Sequence, residues 1–524
     1  MIPKAMQTGH KAIYSIAFPM GSAFSELHMK TELRKTLGFF SCFSVAVGLV
    51  VASSTLVSLG QGMGLAGGGF VIAMGTAWIL QLFSAQSYAE LSCMMPHAGG
   101  IRSYTKVAMG SLPAMTAVIL AYIIPNLFAA PAELAVAGQV ISETFVPGIP
   151  PVFWGGLLLA VLTVTNVIGV DIFAKLQITF TLSMMISMAL LGIMGLTGLG
   201  TLPPPNIPDM PFNPMGMGVF GLTALAIWLY IGIEFVTPMA QETKEPEKNI
   251  PRAMLYGLLA IFFVNLVYGY ASLKYVPANQ LADSNHPHVD MALAMLGRPG
   301  MIWIAIVSIF ASASTINTVI GVVPRMLYGM AVSRELPTAF RSIHPRFHTP
   351  WIGILFMAFS ISTFFFGGIC EAPNLIVYIL AACCSWLFAY IIAHIDVIIL
   401  RRRYPYYKRP YKSPLYPIPQ VLGTLGMGYA IINIAPVPEM EGTIFRLAGI
   451  MVAGTLLYVI FWLRFVVKGS MFRPMGIRAA QEEWGLVEKE LYTNGIPATF
   501  VINPGCGPNC GAAHTPTPLN APIE

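Results

Sequence analysis

Long apolar segments separated by short polar ones dominate the chain. A helix that crosses a bilayer needs roughly 20 mostly apolar residues. Segments of this kind recur along the chain, and they predict an all-α integral membrane protein with 12 transmembrane helices. These predicted spans, numbered 1 to 12 in chain order, cover residues 38–60, 67–90, 113–140, 152–170, 176–199, 216–238, 253–275, 301–330, 351–369, 374–400, 416–435 and 443–466.

Spans 1 and 6 are interrupted by residues that do not suit a helix in lipid. Span 1 contains a run of small and hydroxylated residues, AVGLVVASSTLVSLGQG (46–62), and span 6 contains Gly232 and Glu234. A broken helix frees backbone N–H and C=O groups, which membrane proteins tolerate only where they line a cavity or bind a solute. Free N–H groups suit a carboxylate, and free C=O groups suit an ammonium or a metal cation. Paired interruptions in two halves of a chain therefore predict the binding site of a transporter.

Composition supports the membrane assignment. Of the 524 residues, 56% are hydrophobic and 10% are charged, whereas soluble domains carry about 25% charged residues. The net charge of +6 does not indicate nucleic-acid binding, because a polytopic protein needs cytoplasmic Lys and Arg to set its orientation. With a cytoplasmic N-terminus, the outer segments hold little beyond Lys274, Arg298 and Arg446. The inner segments hold Arg102, Lys106, Lys175, Lys244, Lys248, Arg252, Arg334, Arg341, Arg346, Arg401, Arg402, Arg403, Lys408, Arg409 and Lys412.

This asymmetry predicts a multi-pass protein of the plasma membrane, the inner membrane in a bacterium, with both termini in the cytoplasm. The sequence has no Ser/His/Asp arrangement and no paired-His motif, so we expect no enzyme, no resident metal and no cofactor. The glycines of GQGMGLAGGG (60–69) fall on an outer turn between two spans and do not form a nucleotide-binding loop. In the tail, Cys506, Cys510 and His514 offer three ligands where structural zinc takes four.

Three stretches resemble the amino acid–polyamine–organocation permeases. They are YAELSCMMPHAGGIRSYTKVAMG (88–110), AIWLYIGIEFVTPMAQETKEPEKNIPRAM (226–254) and RRRYPYYKRPYKSPLYPI (401–418), and the resemblance covers roughly residues 35–435. Within that family the chain looks nearest to ethanolamine-type and related amine or amino acid permeases. The resemblance implies a LeuT-type fold of 5+5 inverted repeats. It divides the chain into an N-terminal cytoplasmic segment, a first repeat, a second repeat, two peripheral spans and a cytoplasmic tail, at 1–37, 38–199, 216–400, 416–466 and 467–524.

The resemblance also implies positions for the site. The family breaks span 1 at a Gly-Ser-Gly-Ile-Phe motif, and here Ala52-Ser53-Ser54-Thr55-Leu56 stands in its place. Both glycines are replaced, so we expect a gentler break and an altered carboxylate-binding nest. In span 6 the matching residues imply that Trp228 and Tyr230 cover the substrate, that Ile231 and Gly232 offer free backbone, and that Glu234 holds the break or carries a proton.

Each of the other intramembrane polar residues could have either of two roles. Glu133 in span 3 either meets an ammonium group or a proton, or lies in water near the outer end. Tyr122 and Asn126 share one helical face and either line the cavity or join helices. The hydroxyl-rich run of span 8, with Ser312, Ser314, Thr315 and Asn317, is either a sodium site of the kind found in relatives or a close helix contact. We expect His394 and Asp396 in span 10 at the inner gate.

These observations predict a secondary active transporter that moves a small amino acid or amine by alternating access. The alternative is a sensor, or transceptor, that binds the same solutes and signals through the tail (478–524) without net transport. Met184 stands where several proton-coupled relatives carry a lysine, which disfavours lysine-borne proton coupling. Exchange, uniport and coupling to H+ or Na+ stay open, as does the oligomeric state. The expected partners are the small solute and the lipid bilayer.

Overall fold

The computed structural model describes residues 35–207, 210–284, 286–368, 375–435 and 438–483. The described chain is helical throughout, and a lone parallel bridge joins Leu37 to Thr243. Its helices coincide with the predicted spans in chain order. They run over Phe39–Val50 and Ser53–Ala66 (both span 1), Phe70–Met94, Ser111–Thr144, Pro151–Ile168, Val170–Thr197, Gly216–Glu242, Pro246–Tyr275, Arg298–Val332, Trp351–Phe366, Leu375–Arg403, Ile418–Ile432 and Glu439–Val467.

The predicted fold class is therefore confirmed, while the number of crossings stays a prediction. In the described chain, 9 continuous helical stretches are long and apolar enough to span a membrane, and one of them joins the second half of span 1 to span 2. Three further apolar helices are shorter, at Phe39–Val50, Trp351–Phe366 and Ile418–Ile432. The proposed division into repeats also stays a prediction, and Cys506, Cys510 and His514 lie outside the described residues.

Burial separates central from peripheral spans. In the apolar windows of spans 6 and 8, 83% of the residues are buried inside the protein, against 22% for spans 4 and 12. The outer spans expose large apolar side chains, such as Phe153 and Leu457, as helices that face lipid do. Spans 6 and 8 therefore form the centre of the molecule, where polar groups can be shielded from lipid.

Each interrupted span breaks where its sequence permits. In span 1 the helix stops at Val50, and Ala52 is extended, with φ −95° and ψ 164°. The interruption is only two residues long, consistent with the loss of the family's glycines. In span 6, Gly232 has φ +106°. A Cβ atom there would lie 2.3 Å from the Leu49 side chain, so this position requires glycine both for its backbone angle and for its close approach to span 1.

Part of the C-terminal segment lies against the loops on the side that the basic residues predict to be cytoplasmic. The Leu112 N–H donates to the Met471 carbonyl at 2.9 Å, and the Met475 N–H donates to the Lys106 carbonyl at 3.1 Å. Further along, the Gln481 amide donates to the Tyr407 hydroxyl. We call residues 471–481 the docked segment. It ties the end of span 12 to the start of span 3 and to the loop after span 10.

Candidate functional site: a chamber between two interrupted helices

A small chamber lies where spans 1, 3, 6, 8 and 10 meet. Its open space is about 20 Å³, which is room for a water molecule or two. Residues of both helix breaks line it together with polar and aromatic residues of the other three spans. The lining residues are Leu49, Val50, Ala52, Ser54, Thr55, Asn126, Ala129, Glu133, Trp228, Ile231, Thr315 and Trp386.

Glu133 closes the break in span 1. Its two carboxylate oxygens accept hydrogen bonds from the backbone N–H groups of Ser53 and Ser54, both at 3.1 Å. Ser312 Oγ donates a third hydrogen bond at 2.8 Å. The first N–H groups of a helix have no partner within the helix, and a carboxylate is favoured at this positive end. Glu133 thus acts as an N-cap that comes from another span.

Ser53 also binds span 8 through its side chain. Its Oγ donates to the Ser308 carbonyl at 2.9 Å and lies 3.0 Å from Ser312 Oγ. Ser53 itself is fully buried and faces away from the chamber. The start of the second half of span 1 is therefore fixed to spans 3 and 8 by one connected set of hydrogen bonds.

Glu234 organises the break in span 6. Its carboxylate accepts hydrogen bonds from the Tyr390 hydroxyl at 2.7 Å and from Trp386 Nε1 at 2.9 Å. The Tyr390 hydroxyl in turn accepts the Gly232 N–H at 3.1 Å. These contacts satisfy a backbone group freed by the break, and they bind span 6 to span 10. Glu234 does not line the chamber, and its role, to hold the break or to carry a proton, stays a prediction.

Aromatic rings form one wall of the chamber. Trp228 Nε1 donates to Ser54 Oγ at 3.4 Å, which links the two breaks directly. The Trp228 and Trp386 ring centroids are 6.5 Å apart at 79°. Phe235 packs behind Trp386, with centroids 5.6 Å apart, and Tyr122 packs against Phe235 at 4.8 Å. The edge-to-face arrangement of Trp228 and Trp386 is favourable, and indole faces of this kind can receive a cation.

The structure brings seven of the candidate residues to the chamber and puts the others behind it. The lining members are Ala52, Ser54, Asn126, Glu133, Trp228, Ile231 and Thr315. Ser53, Tyr122, Gly232 and Glu234 support them from a second layer through the contacts above. Tyr230 is fully buried away from the lining, and its hydroxyl has no hydrogen-bond partner in the described chain. A covering role for Tyr230 stays a prediction.

Asn126 presents an unsatisfied acceptor at the chamber. Its Nδ2 donates to the Tyr122 carbonyl at 2.8 Å, within a π-helical turn at Ile119–Ile123. Its Oδ1 is buried and has no partner among the described residues. A buried polar atom left without a hydrogen bond costs free energy, so this oxygen is suited to receive a donor from a solute.

The hydroxyl-rich run of span 8 is not one patch. Ser312 faces Glu133, whereas Ser314 faces span 5 and accepts a hydrogen bond from Gln177 Nε2 at 2.8 Å. Gln177 Nε2 also donates to the Ser44 carbonyl at 3.2 Å, and Gln177 Oε1 accepts from Asn317 at 2.8 Å. An amide N–H₂ group therefore supplies the positive end that these oxygens need. Thr315 faces span 1 instead, with its Oγ1 3.5 Å from the Gly48 and Leu49 carbonyls, and a sodium site in this run stays a prediction.

The polar pair of span 10 lies among other helices. His394 lies 3.0 Å from Ser87 Oγ, and Asp396 accepts a 2.6 Å hydrogen bond from the Thr105 hydroxyl. Both are buried and neither lines the chamber. They join span 10 to span 2 and to the short helix Ile101–Ala108.

Three contributors were not singled out from the sequence: Trp386, Tyr390 and Gln177. Trp386, Tyr390 and His394 recur at intervals of four along span 10, which puts all three on one helical face. That stripe was available in the sequence as a signal. Gln177 gave no comparable signal, because a single amide near the end of an apolar span also suits a water-facing position.

Comparisons with known proteins agree with this architecture. A profile of the amino acid permease family matches residues 37–462. A branched-chain amino acid permease of Bacillus subtilis (strain 168) is 25% identical over 80% of this chain and 92% of its own length. A serine/threonine exchanger of the same organism is 26% identical, over 77% of this chain and 92% of its own. The human large neutral amino acids transporter small subunit 2 is 29% identical over 74% of each chain.

Among solved structures, a nucleobase-cation-symport-1 family transporter, in a closed conformation with bromovinylhydantoin bound, aligns with a TM-score of 0.50. It is 15% identical and covers 87% of this chain and 99% of that one, which shows the LeuT-type fold. The match to the family profile over residues 37–462 shows the family and the class of function. The chain belongs to the amino acid permease family of the amino acid–polyamine–organocation superfamily, and it is a membrane transporter, not an enzyme.

Proposed function

We propose that this transporter moves a small amino acid or amine across the plasma membrane by alternating access and binds it in the chamber. The observation that carries the proposal is the meeting of two interrupted helices at that chamber, with Trp228 of one break hydrogen-bonded to Ser54 of the other. The substrate would displace this contact. Because the open space is small, the aromatic wall must move to admit it.

The relatives support transport over the alternative of a sensor. Their names describe a permease, an exchanger and a transporter for amino acids, and the match spans both predicted repeats. The tail on which a signalling role would depend lies largely outside the described residues. The distribution of basic residues supports cytoplasmic termini, and reporter fusions at each terminus test that orientation.

Coupling is proposed to be independent of sodium at span 8. Gln177 Nε2 donates to Ser314 Oγ and to the Ser44 carbonyl, so two of the oxygens that could ligate sodium already have a donor. We expect uptake to be unchanged when a sodium gradient is replaced by an equal potassium gradient. Uptake that requires sodium and saturates with it would contradict this part of the proposal.

Uptake into proteoliposomes tests the function itself. The purified chain is reconstituted, and a panel of labelled amino acids and amines is offered with and without a pH gradient and with and without internal substrate. Saturable uptake of at least one compound, absent from liposomes without protein, is the expected result. If no compound of either class moves under any of these conditions, the proposal fails.

A further inference from the structure

Within the part of the chain that the structure describes, the chamber is lined by a negatively charged side chain and by no positively charged one. Of the lining residues in the described chain, Glu133 alone carries a charge, and no Lys, Arg or His lines the chamber. Glu133 is 2% exposed. A buried charge has few water molecules to screen it, so its effect on a solute in the same small chamber is stronger than in water.

The anion-binding end of span 1 is already occupied by the protein. The N–H groups of Ser53 and Ser54 are the donors that a solute carboxylate would use at this break. Both donate instead to Glu133, at 3.1 Å. Ser312 completes the set at 2.8 Å. A solute carboxylate would have to displace Glu133 from all three donors, and it would then lie close to a second negative charge.

We propose that the substrate is a small organic amine without a carboxylate, and that Glu133 is the group that recognises its ammonium. This inference rests on the proposed function and narrows it. The ammonium N–H groups would donate to Glu133 and to Asn126 Oδ1, which has no partner among the described residues. Trp228 and Trp386 would enclose the cation and its carbon chain, since indole faces attract cations.

Decarboxylated pairs provide a direct test on the unmodified protein. Each pair is an amino acid and the amine that keeps its side chain: serine with ethanolamine, valine with isobutylamine, and leucine with isoamylamine. We expect the amine of at least one pair to be taken up about tenfold or more faster than its amino acid. If, in every pair with measurable uptake, the amino acid is taken up at least as fast as its amine, the inference is overturned and the proposed function stands. If no member of any pair and no compound of the wider panel is taken up, both proposals fail.

Substitution at Glu133 tests the assigned residue. Glu133→Gln removes the charge and keeps the shape, whereas Glu143→Gln makes the same change at an exposed position near the end of the same helix, Ser111–Thr144. We expect E133Q to reduce amine uptake about tenfold or more and E143Q to leave it unchanged. Amine uptake by E133Q at the wild-type rate would refute the assignment.

Ligand-induced stabilisation covers the case in which E133Q does not fold. A ligand that binds the native state raises its apparent melting temperature. The wild-type protein in detergent is heated with ethanolamine, isobutylamine or isoamylamine, and separately with serine, valine or leucine. The inference predicts a concentration-dependent rise with an amine at concentrations where its amino acid gives none. A rise with the amino acids alone would overturn it.

Discussion

A single hydroxyl group holds the break in span 6. The Tyr390 hydroxyl accepts the Gly232 N–H and donates to the Glu234 carboxylate. All three residues are buried at membrane depth, where water does not replace a lost partner. The position of Gly232 therefore depends on the Tyr390 hydroxyl as well as on the conformational freedom of the glycine itself.

Removal of that hydroxyl should weaken both stability and transport. Tyr390→Phe leaves a backbone N–H and a carboxylate oxygen without their partner, at a cost of about 1–3 kcal/mol. We expect a lower apparent melting temperature and about a tenfold loss of uptake, measured on the same preparation. Tyr429→Phe, at a 44% exposed position in span 11, is the matched control and should change neither. Wild-type uptake by Y390F would show that the break is held by other contacts.

The types of residue in the sequence predicted part of the site, but the sequence did not show which way each side chain points. Glu133 and Glu234 stand out in an apolar run because a charged group is costly to bury in a membrane. Trp228 stands out as a large aromatic residue beside the break. The direction of a side chain is harder to read. Ser312 and Ser314 look like one patch in the sequence, but residues two apart on an α-helix point about 200° apart. They accordingly bind different spans.

At the scale of elements, each of the three stretches that resemble the permease family contributes to a largely buried ion pair, and one pair joins the first stretch to the third. Arg102 of the first stretch binds Glu335 through two hydrogen bonds of 2.5 and 2.7 Å. Glu90 of the same stretch binds Arg401 of the third at 2.6 Å. In the second stretch, Glu242 is bound by Arg325 of span 8. These pairs lie on the side predicted to be cytoplasmic and join helices that are far apart in the chain.

Loss of one partner in such a pair should be costly. Glu242→Gln leaves the Arg325 guanidinium buried without a counter-charge, and breaking a buried pair in this way costs about 3–5 kcal/mol. The matched control is Glu245→Gln, three residues away, where the ion pair with Lys248 is exposed and worth about 1 kcal/mol or less. Denaturant unfolding in detergent measures both. Equal small losses would mean that Arg325 finds another acceptor.

The sequence could not predict these pairings. Length and apolar character alone predicted the helical segments, because a membrane span is a property of about 20 consecutive residues. The ion pairs join residues as far apart as Arg102 and Glu335, 233 positions along the chain. Contacts of that kind depend on the packing of whole helices, which the apolar pattern of one span does not specify.

For the whole molecule, one loop carboxylate links folding to pH. Glu335 lies beyond the end of span 8 and is buried. Burial raises its pKa, but Arg102 and Lys106 outweigh burial and hold the pKa of the Glu335 carboxyl below its usual value. A folded-state pKa below the unfolded value of about 4.3 contributes stability above that pH, and the contribution is lost as the pH falls through the folded-state pKa.

Acid should therefore destabilise the protein in a way that depends on Glu335. We expect the wild-type melting temperature to fall as the pH is lowered below about 4.3, and Glu335→Gln to show a shallower fall over the same range. At neutral pH the variant should melt below the wild type, because Arg102 then lacks its counter-charge. Parallel slopes for the two proteins would assign the acid sensitivity to other carboxylates.

The docked segment bears on how the protein can be shortened or tagged. Residues 471–481 supply backbone and side-chain partners to Leu112, Lys106 and Tyr407. A version truncated just after span 12 would leave the Leu112 amide, at the first turn of span 3, dependent on solvent. Fluorescent fusions and purification tags are therefore better joined after Glu483 than directly to the last span.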